Sequence, residues 1–350
     1  LYPFYTITNP DFVAKTVNSY ITRLDVNGWV RDLVKVGKER PRNQGGDDID
    51  NIIAEAYLKG IEGVDWEDAY RVLKDNADYQ RDDQNTWSVV DGKKIGVDST
   101  YRTLGYIPAD LNSTWVMCCA KQLEYAYNDY CAAQVAKGLG KTEDYEKYLA
   151  RSANWQNLWN ENLEYGDFTG FIWPKNSDGT WLEPNEKLSS ATTFNYSWNN
   201  YFYEGTAYEY SFFAPHDVDT LIEKMGGEKA FISRLQTGID SGYINVGNQP
   251  GFIQAFFFNH TSELWHTSDS VEKILNKFSL NGTPGCDDSG SMCAWYLFST
   301  IGFFPNAGQS FYYLTSPKYE TTTFNLDNGK TFTVRANNLS DTNKYIQSVT

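Results

Sequence analysis

Two long helical patterns, residues 113–136 and 142–160, are separated only by Lys137-Gly-Leu-Gly-Lys141. A link that short forces the second helix to return antiparallel along the first. Thr142-Glu-Asp opens the second helix with a capping residue and early acids. The same grammar recurs along the chain. In residues 11–24, Phe12, Val13, Val17, Tyr20, Ile21 and Leu24 repeat at helical spacing until Asn27-Gly28 ends the pattern. Further helices are expected over residues 49–60 and 64–79, the latter with Asp65 as N-cap. Helical patterns resume at residues 217–225, 228–239, 250–259, 269–278 and 289–301. Residues 83–106 read as loop, and residues 161–204, rich in Gly, Asn, Ser, Pro and Trp, read as long surface loops near a site.

From about residue 310 the period changes. Phe311-Tyr-Tyr-Leu, Thr321-Thr-Thr-Phe-Asn-Leu and Thr331-Phe-Thr-Val-Arg-Ala alternate, and Asp327-Asn-Gly329 between the last two is a hairpin turn signal. Some 300 residues of paired helices leading into a small β region point to a mainly α fold. Wide loops between helix pairs favour an α/α toroid over a helical solenoid, because a toroid builds its cleft from such loops.

Composition narrows the function. The 30 Lys+Arg against 45 Asp+Glu leave a formal charge of −15, the wrong sign for phosphate binding or a polybasic membrane contact. No apolar run could span a bilayer and no signal peptide pattern is visible. The aromatic share of 16%, with 25 Tyr, 20 Phe and 11 Trp, packs cores and also suits stacking on sugar C–H faces. Five cysteines (118, 119, 131, 286, 293) form no C-x-x-C pair and no zinc pattern. Sequons at Asn112, Asn195, Asn259, Asn281 and Asn338 lend modest support to a secretory route.

Three patches set polar residues among aromatics: Tyr203 to Tyr210 followed by Pro215-His216-Asp217, then Gly247-Asn248-Gln249-Pro250, then Gly285-Cys286-Asp287-Asp288-Ser-Gly290 ahead of Trp295. Glu204 stands before a Gly and among rings, the setting a general acid needs, with Glu209 as a rival. Asp287-Asp288 lies at an expected helix start. One Asp can serve as the cap, and a second carboxylate exceeds capping needs. Three His and no H-x-x-x-H argue against a His-rich zinc site, and oxygen donors point to a hard cation if a metal is bound. Absence of G-x-S-x-G, of a P-loop and of a dinucleotide fingerprint leaves carboxylate-pair chemistry.

At these residues the sequence resembles glycoside hydrolase family 92, the calcium-dependent, inverting exo-α-mannosidases. The likeness is carried by IIAEAYLKG (52–60), EGTAYEYSFFAPHDV (204–218), MGG (225–227), GNQP (247–250) and, most specifically, GCDDSGSMCAWYLFSTIGFFP (285–305). It implies an (α/α)6 catalytic domain over residues 1–308 and the start of a C-terminal β-sandwich over 309–350. It also implies that the family's N-terminal β-sandwich and its W-D-T stretch lie outside this chain, which would make the chain a fragment. By position Glu204 matches the general acid and Asp288 the general base, with Asp287 beside it. Asn248, Gln249 and Asp288 fall in the neighbourhood that holds Ca²⁺ and the terminal mannose. His216, Asp217 and Trp295 would line or support the pocket.

The resemblance implies hydrolysis of terminal α-linked mannose, α-1,2 foremost, from N-glycans, glycoproteins or mannan outside the cell. Departures stand beside it. Gln249 replaces the Glu of G-N-E-P, Cys286 stands where Asn or Asp is usual, Ser291 where Gln is usual, and Asp48 where a His often sits. Two alternatives follow: hydrolysis of a mannose-1-phosphate diester, which can dispense with a general acid, and an inactive mannose-binding paralogue.

Overall fold

The computed structural model describes residues 1–30, 45–79, 99–111, 117–183, 201–326 and 328–350, with the backbone of a few further short elements. Helix α1 (Tyr2–Thr8) leads directly into α2 (Pro10–Asn27), whose N-cap Asn9 accepts the Phe12 amide at 3.2 Å. Gly28 closes α2 with a left-handed φ of 74°, where a side chain would be strained. Strands β1 (Val34–Lys35) and β2 (Lys38–Glu39) pair ahead of α3 (Asp48–Leu58) and α4 (Trp66–Asp78). The Asp65 carboxylate accepts the Glu67 and Asp68 amides at 3.0 and 3.2 Å, so the expected cap is present.

Residues 83–106 depart from the loop expectation. They include strands β3 (Trp87–Val90) and β4 (Lys93–Gly96) and helix α5 (Val97–Leu104). Helix α6 (Cys118–Gly138) then turns into α7 (Thr142–Ser152), the antiparallel pair that the short link requires. Small residues on α6 (Ala120, Ala126, Ala132, Ala133, Ala136, Cys119 and Cys131) let neighbours approach on nearly every side. Its first half belongs to the larger apolar cluster, with Trp155, Phe171 and Tyr208. Its second half belongs to a cluster built with α2, α3 and α4 through Val17, Ile53 and Leu73. Across these helices Tyr70 donates to Asp144 at 2.6 Å, and Arg151 Nε donates to buried Asp129 at 2.6 Å.

The helix expected to reach residue 160 ends at Ser152 and tightens into a 3₁₀ segment, Ala153–Leu158. Its Asn-rich sequence has little helix propensity, and Trp155 and Leu158 gain more by burial than by extending the helix. Strands β5 (Trp159–Tyr165) and β6 (Phe168–Ile172) follow as an antiparallel hairpin. The surface-loop expectation for residues 161–183 is thus corrected: Phe171, Ile172 and Trp173 lie in the core. Residues 184–200, which hold the Asn195 sequon, lie outside the described residues, as does Asn112.

Helix α8 (Ala207–Tyr210) precedes α9 (Val218–Lys224) and α10 (Glu228–Asp240). The expected helix at 250–259 is instead two 3₁₀ segments, Gln249–Gly251 and Gln254–His260. Helices α11 (Trp265–Leu275) and α12 (Ser291–Ile301) complete the helical part. Strands β7 (Phe303–Pro305) and β8 (Tyr312–Leu314) pair across residue 308, and Tyr313 packs into the helical core. Strands β9 (Thr321–Asn325) and β10 (Thr331–Arg335) form the hairpin that Asp327-Asn-Gly329 announces. The fold is mainly α, as expected.

All five cysteines are free, with 118, 119 and 131 buried and 286 and 293 exposed. Asn259 is spent on structure. Its amide donates to Phe256, Thr267 and Leu314, and its oxygen accepts the Leu314 amide. Among the described sequons, Asn281 and Asn338 are exposed. No helix of the described residues is long and apolar enough to cross a membrane.

Candidate active site

The three polar patches supply one hydrogen-bonded run that passes through the Gln249 backbone. Asn248 Nδ2 donates to Glu204 Oε2 at 2.9 Å and to the Glu204 carbonyl at 3.2 Å. The Asn248 oxygen accepts the Gln249 amide at 3.0 Å, capping the 3₁₀ turn. Gln249 Nε2 in turn donates to Asp288 Oδ2 at 2.7 Å. Two carboxylates from segments 84 residues apart in sequence (288 − 204) are thus joined through two neighbouring amides.

Local backbone at both carboxylates is strained. Glu204, Asp288 and Ser289 hold φ of 48°, 44° and 65°, three of the five non-glycine residues at positive φ among the described residues. Each left-handed residue costs about 1–3 kcal/mol, so the surrounding contacts must over-determine it. Part of that constraint is a close backbone approach. A Cβ on Gly285 would fall 2.0 Å from the Gly247 carbonyl oxygen. Gly285→Ala therefore must push the Asn248 and Asp288 segments apart. We expect turnover to fall about tenfold or more, with substrate KM changing less, measured by steady-state kinetics.

The adjacent acids divide their tasks. Asp287 Oδ1 accepts the Cys293 amide at 3.0 Å and its carbonyl accepts the Ser291 amide at 2.8 Å, so Asp287 tethers the first turn of α12 from ahead of its N-cap, Gly290. The backbone hydrogen bond from Cys293, then its thiol, hold the Asp287 carboxyl below its ordinary value. Asp288 is exposed and carries the link to Gln249.

Two residues given no role by the sequence join the site. The half-buried Tyr203 hydroxyl is pushed up by burial first, then by its hydrogen bond to Glu204, and then by the charges of Glu124 and Asp288. Carboxylates from α6, the Glu204 loop and the α12 entry therefore share one field. Glu124 also accepts the Gly46 amide, while Asn128 accepts the Asp47 amide at 2.8 Å. Tyr203 was legible as Glu204's neighbour. An acid inside an apolar helix gave no signal.

Three residues expected to line or support the pocket make their contacts with surrounding elements. Trp295 is buried at 1% exposure, stacked on Phe278 at 5.9 Å, and donates to the Phe252 carbonyl at 2.8 Å. It props the turn after Gln249 and offers no ring face to a sugar. His216 stacks on Tyr127 at 5.7 Å and bonds the Ser152 carbonyl through Nε2 at 3.0 Å. Burial pushes its imidazole below the ordinary value, favouring the neutral ring. Asp217 accepts Trp155 Nε1 at 3.0 Å. These contacts are to scaffold, not to the Glu204–Asp288 run.

Glu209, the rival acid, is 1% exposed and so cannot meet a substrate. Burial pushes its carboxyl up to about 8, and burial likewise pushes Glu55 up to about 7. Both folded values exceed the 4.5 of an unburied Glu. The stability that the neutral forms contribute is full below that value and is lost as pH rises through 7 and 8. We expect the melting temperature to decline between about pH 5 and pH 8, with a shallower decline in Glu55→Gln, as differential scanning fluorimetry would show.

Among the described residues no group of three His, Cys, Asp or Glu is set to hold a metal. The oxygen donors at the run are the Gln249 amide and the Asp288 carboxylate, which suit a hard cation in kind. Asn248 has both amide atoms committed to Glu204 and Gln249, so it fits holding Glu204 better than holding a cation.

Comparison with known proteins fits this arrangement. A protein of Arthroderma benhamiae described as an uncharacterized secreted glycosidase is 34% identical over 372 residues, covering 99% of this chain and 47% of that protein. The family GH92 alpha-mannosidase BT3965 from Bacteroides thetaiotaomicron superposes with a TM-score of 0.82 at 28% identity, over 97% of this chain and 43% of that one. The family GH92 inverting mannosidase BT2199 of the same organism gives 0.81 at 25% identity, over 97% and 46%. The chain thus spans a little under half the length of these relatives. The family model for the glycosyl hydrolase family 92 catalytic domain matches residues 1–350. The chain belongs to glycoside hydrolase family 92.

Proposed function

We propose that this chain is the catalytic part of a secreted exo-α-mannosidase that removes terminal α-linked mannose, α-1,2 foremost, from N-glycans or mannan with inversion. The observation that carries the reading is the run from Glu204 through Asn248 and Gln249 to Asp288, within a family whose solved members above bear the name mannosidase. In this reading residues 1–308 form the (α/α)6 toroid, and residues 309–350 begin a C-terminal β-sandwich. An N-terminal β-sandwich of the same protein supplies the rest of the site wall.

Glu204 protonates the departing glycosidic oxygen, held in aim by Asn248. Asp288 takes a proton from water as that water attacks the anomeric carbon from the opposite face. An inverting pair needs its carboxyls roughly 6.5–9.5 Å apart around the attacking water, and this reading requires that separation of Glu204 and Asp288. Glu124, Glu204 and Asp288 together make the field negative, favouring the positive charge that grows at the anomeric carbon. Gln249 and Asp288 would hold Ca²⁺, with waters and sugar hydroxyls completing the roughly six to eight oxygens it takes. Calcium held there would supply Lewis-acid stabilisation to the bound sugar.

Mannose release from α-1,2-mannobiose by the full-length protein tests the reading. We expect turnover with calcium and a loss of at least tenfold after chelation, restored by added calcium. Mannose binding without turnover on any α-mannobiose would replace it with the inactive-paralogue reading.

A further inference from the structure

We propose that Glu209 is a positioning residue for Glu204, acting through Asn245 and Asn248 as the buried anchor of a closed ring of contacts. The inference rests on the acid role given to Glu204 above. The ring runs as follows. Glu209 Oε1 accepts the Asn245 amide at 2.8 Å. The Asn245 carbonyl accepts the Asn248 amide at 3.2 Å. Asn248 Nδ2 donates to Glu204 Oε2 at 2.9 Å. The chain itself closes the ring, since only Gly205 to Tyr208 separate Glu204 from Glu209.

The segment between those two acids is stiff. Thr206 Oγ1 caps α8 by accepting the Glu209 amide at 3.2 Å, and Tyr210 donates its hydroxyl to the Tyr203 carbonyl at 2.7 Å. The backbones on both sides have been shaped to the Glu209 carboxyl. A Cβ on Gly205 would lie 2.9 Å from Glu209 Oε2, and one on Gly251 would lie 2.7 Å from Glu209 Oε1. Glu209 Oε2 has no hydrogen-bond partner and no solvent. Such an atom costs stability where it stands, and the other oxygen's grip on the Asn245 turn is its structural return. Removing the carboxyl frees that turn, and with it the donor that aims Glu204.

A misaimed general acid has a specific kinetic signature. It slows bond cleavage where the leaving group needs a proton and spares a substrate whose leaving group does not. The experiment compares full-length wild type, Glu204→Gln, Glu209→Ala and Glu209→Gln on α-1,2-mannobiose and on 2,4-dinitrophenyl α-mannoside. We expect Glu209→Ala to lose at least about tenfold in kcat on mannobiose with little change in KM, and much less on the dinitrophenyl substrate. Glu204→Gln should show the same asymmetry, and Glu209→Gln, which keeps the acceptor for Asn245, should recover most of the loss.

Equal losses by Glu209→Ala on both substrates, or no loss on either, would overturn the positioning role. If Glu209→Ala gives no folded protein, Glu209→Asp, one methylene short of Asn245, must show the same asymmetry or the role falls. A wild type that cleaves neither substrate would overturn the reading of the reaction instead. Crystal structures of the two Glu209 variants decide the inference in that event. The Asn248–Glu204 contact should open in Glu209→Ala and persist in Glu209→Gln, and its persistence in both would refute the ring.

Discussion

Asp288→Asn lowers kcat on α-1,2-mannobiose by about 10²–10⁴-fold, the contribution of a positioned general base. The substitution is chosen for what it preserves. Asn can still accept from Gln249 Nε2 in place of Asp288 Oδ2. It also tolerates the left-handed φ of 44° better than nearly any residue but Gly. What it cannot do is take a proton from water. The loss should therefore be nearly the same for mannobiose and for an activated aryl mannoside, since both need the attacking water. Asp287→Asn should behave differently. Its oxygen accepts the Cys293 amide in the first turn of α12, and the Asn oxygen can accept it equally well, so turnover should fall far less. A larger loss in Asp287→Asn than in Asp288→Asn, measured by steady-state kinetics, would reverse the assignment of the two acids.

Glu204→Gln is the second large effect, about 10²–10⁴-fold on mannobiose but much smaller on 2,4-dinitrophenyl α-mannoside. The amide keeps the size of the side chain and an acceptor for Asn248 Nδ2. It has no proton to give. A dinitrophenolate leaves without one, so the surviving activity on that substrate separates loss of acid catalysis from loss of the fold. Equal damage on both substrates would move the acid elsewhere. The mannose-1-phosphate diester alternative predicts a third pattern, in which Glu204→Gln leaves cleavage intact because phosphate departs unaided.

How much of this was legible in the sequence depends on whether the deciding information was local. Helix pairs were, because a five-residue link leaves one geometry. The Asp65 cap and the β9–β10 hairpin were legible for the same reason. The β5–β6 hairpin was not. The β5 strand runs through Asn160-Glu161-Asn162 with no apolar alternation, and what fixes the pair is burial of Phe171 and Trp173 against residues far along the chain. Strand β8 likewise reads as the start of the β region, yet it pairs back onto β7.

The site shows the same division. Glu204, Asn248, Gln249 and Asp288, drawn from three separate motifs, lie along one hydrogen-bonded run. A motif fixes which residues travel together but not which faces they turn to the cleft. Trp295, His216 and Asp217 travel with it and face the scaffold. Glu209 stands in the motif as plausibly as Glu204 and is sealed off, while Glu124, from a helix with no motif, contributes its charge to the field at Tyr203.

The central claim is a single displacement in which Glu204 and Asp288 work on opposite faces of the sugar. The configuration of the first-formed product tests it most directly. Proton NMR of α-1,2-mannobiose hydrolysis by the full-length protein with calcium should show the β-anomer of mannose appearing first, with the α-anomer growing only as mutarotation proceeds. First appearance of α-mannose would mean retention, and would contradict the acid and base roles assigned to Glu204 and Asp288.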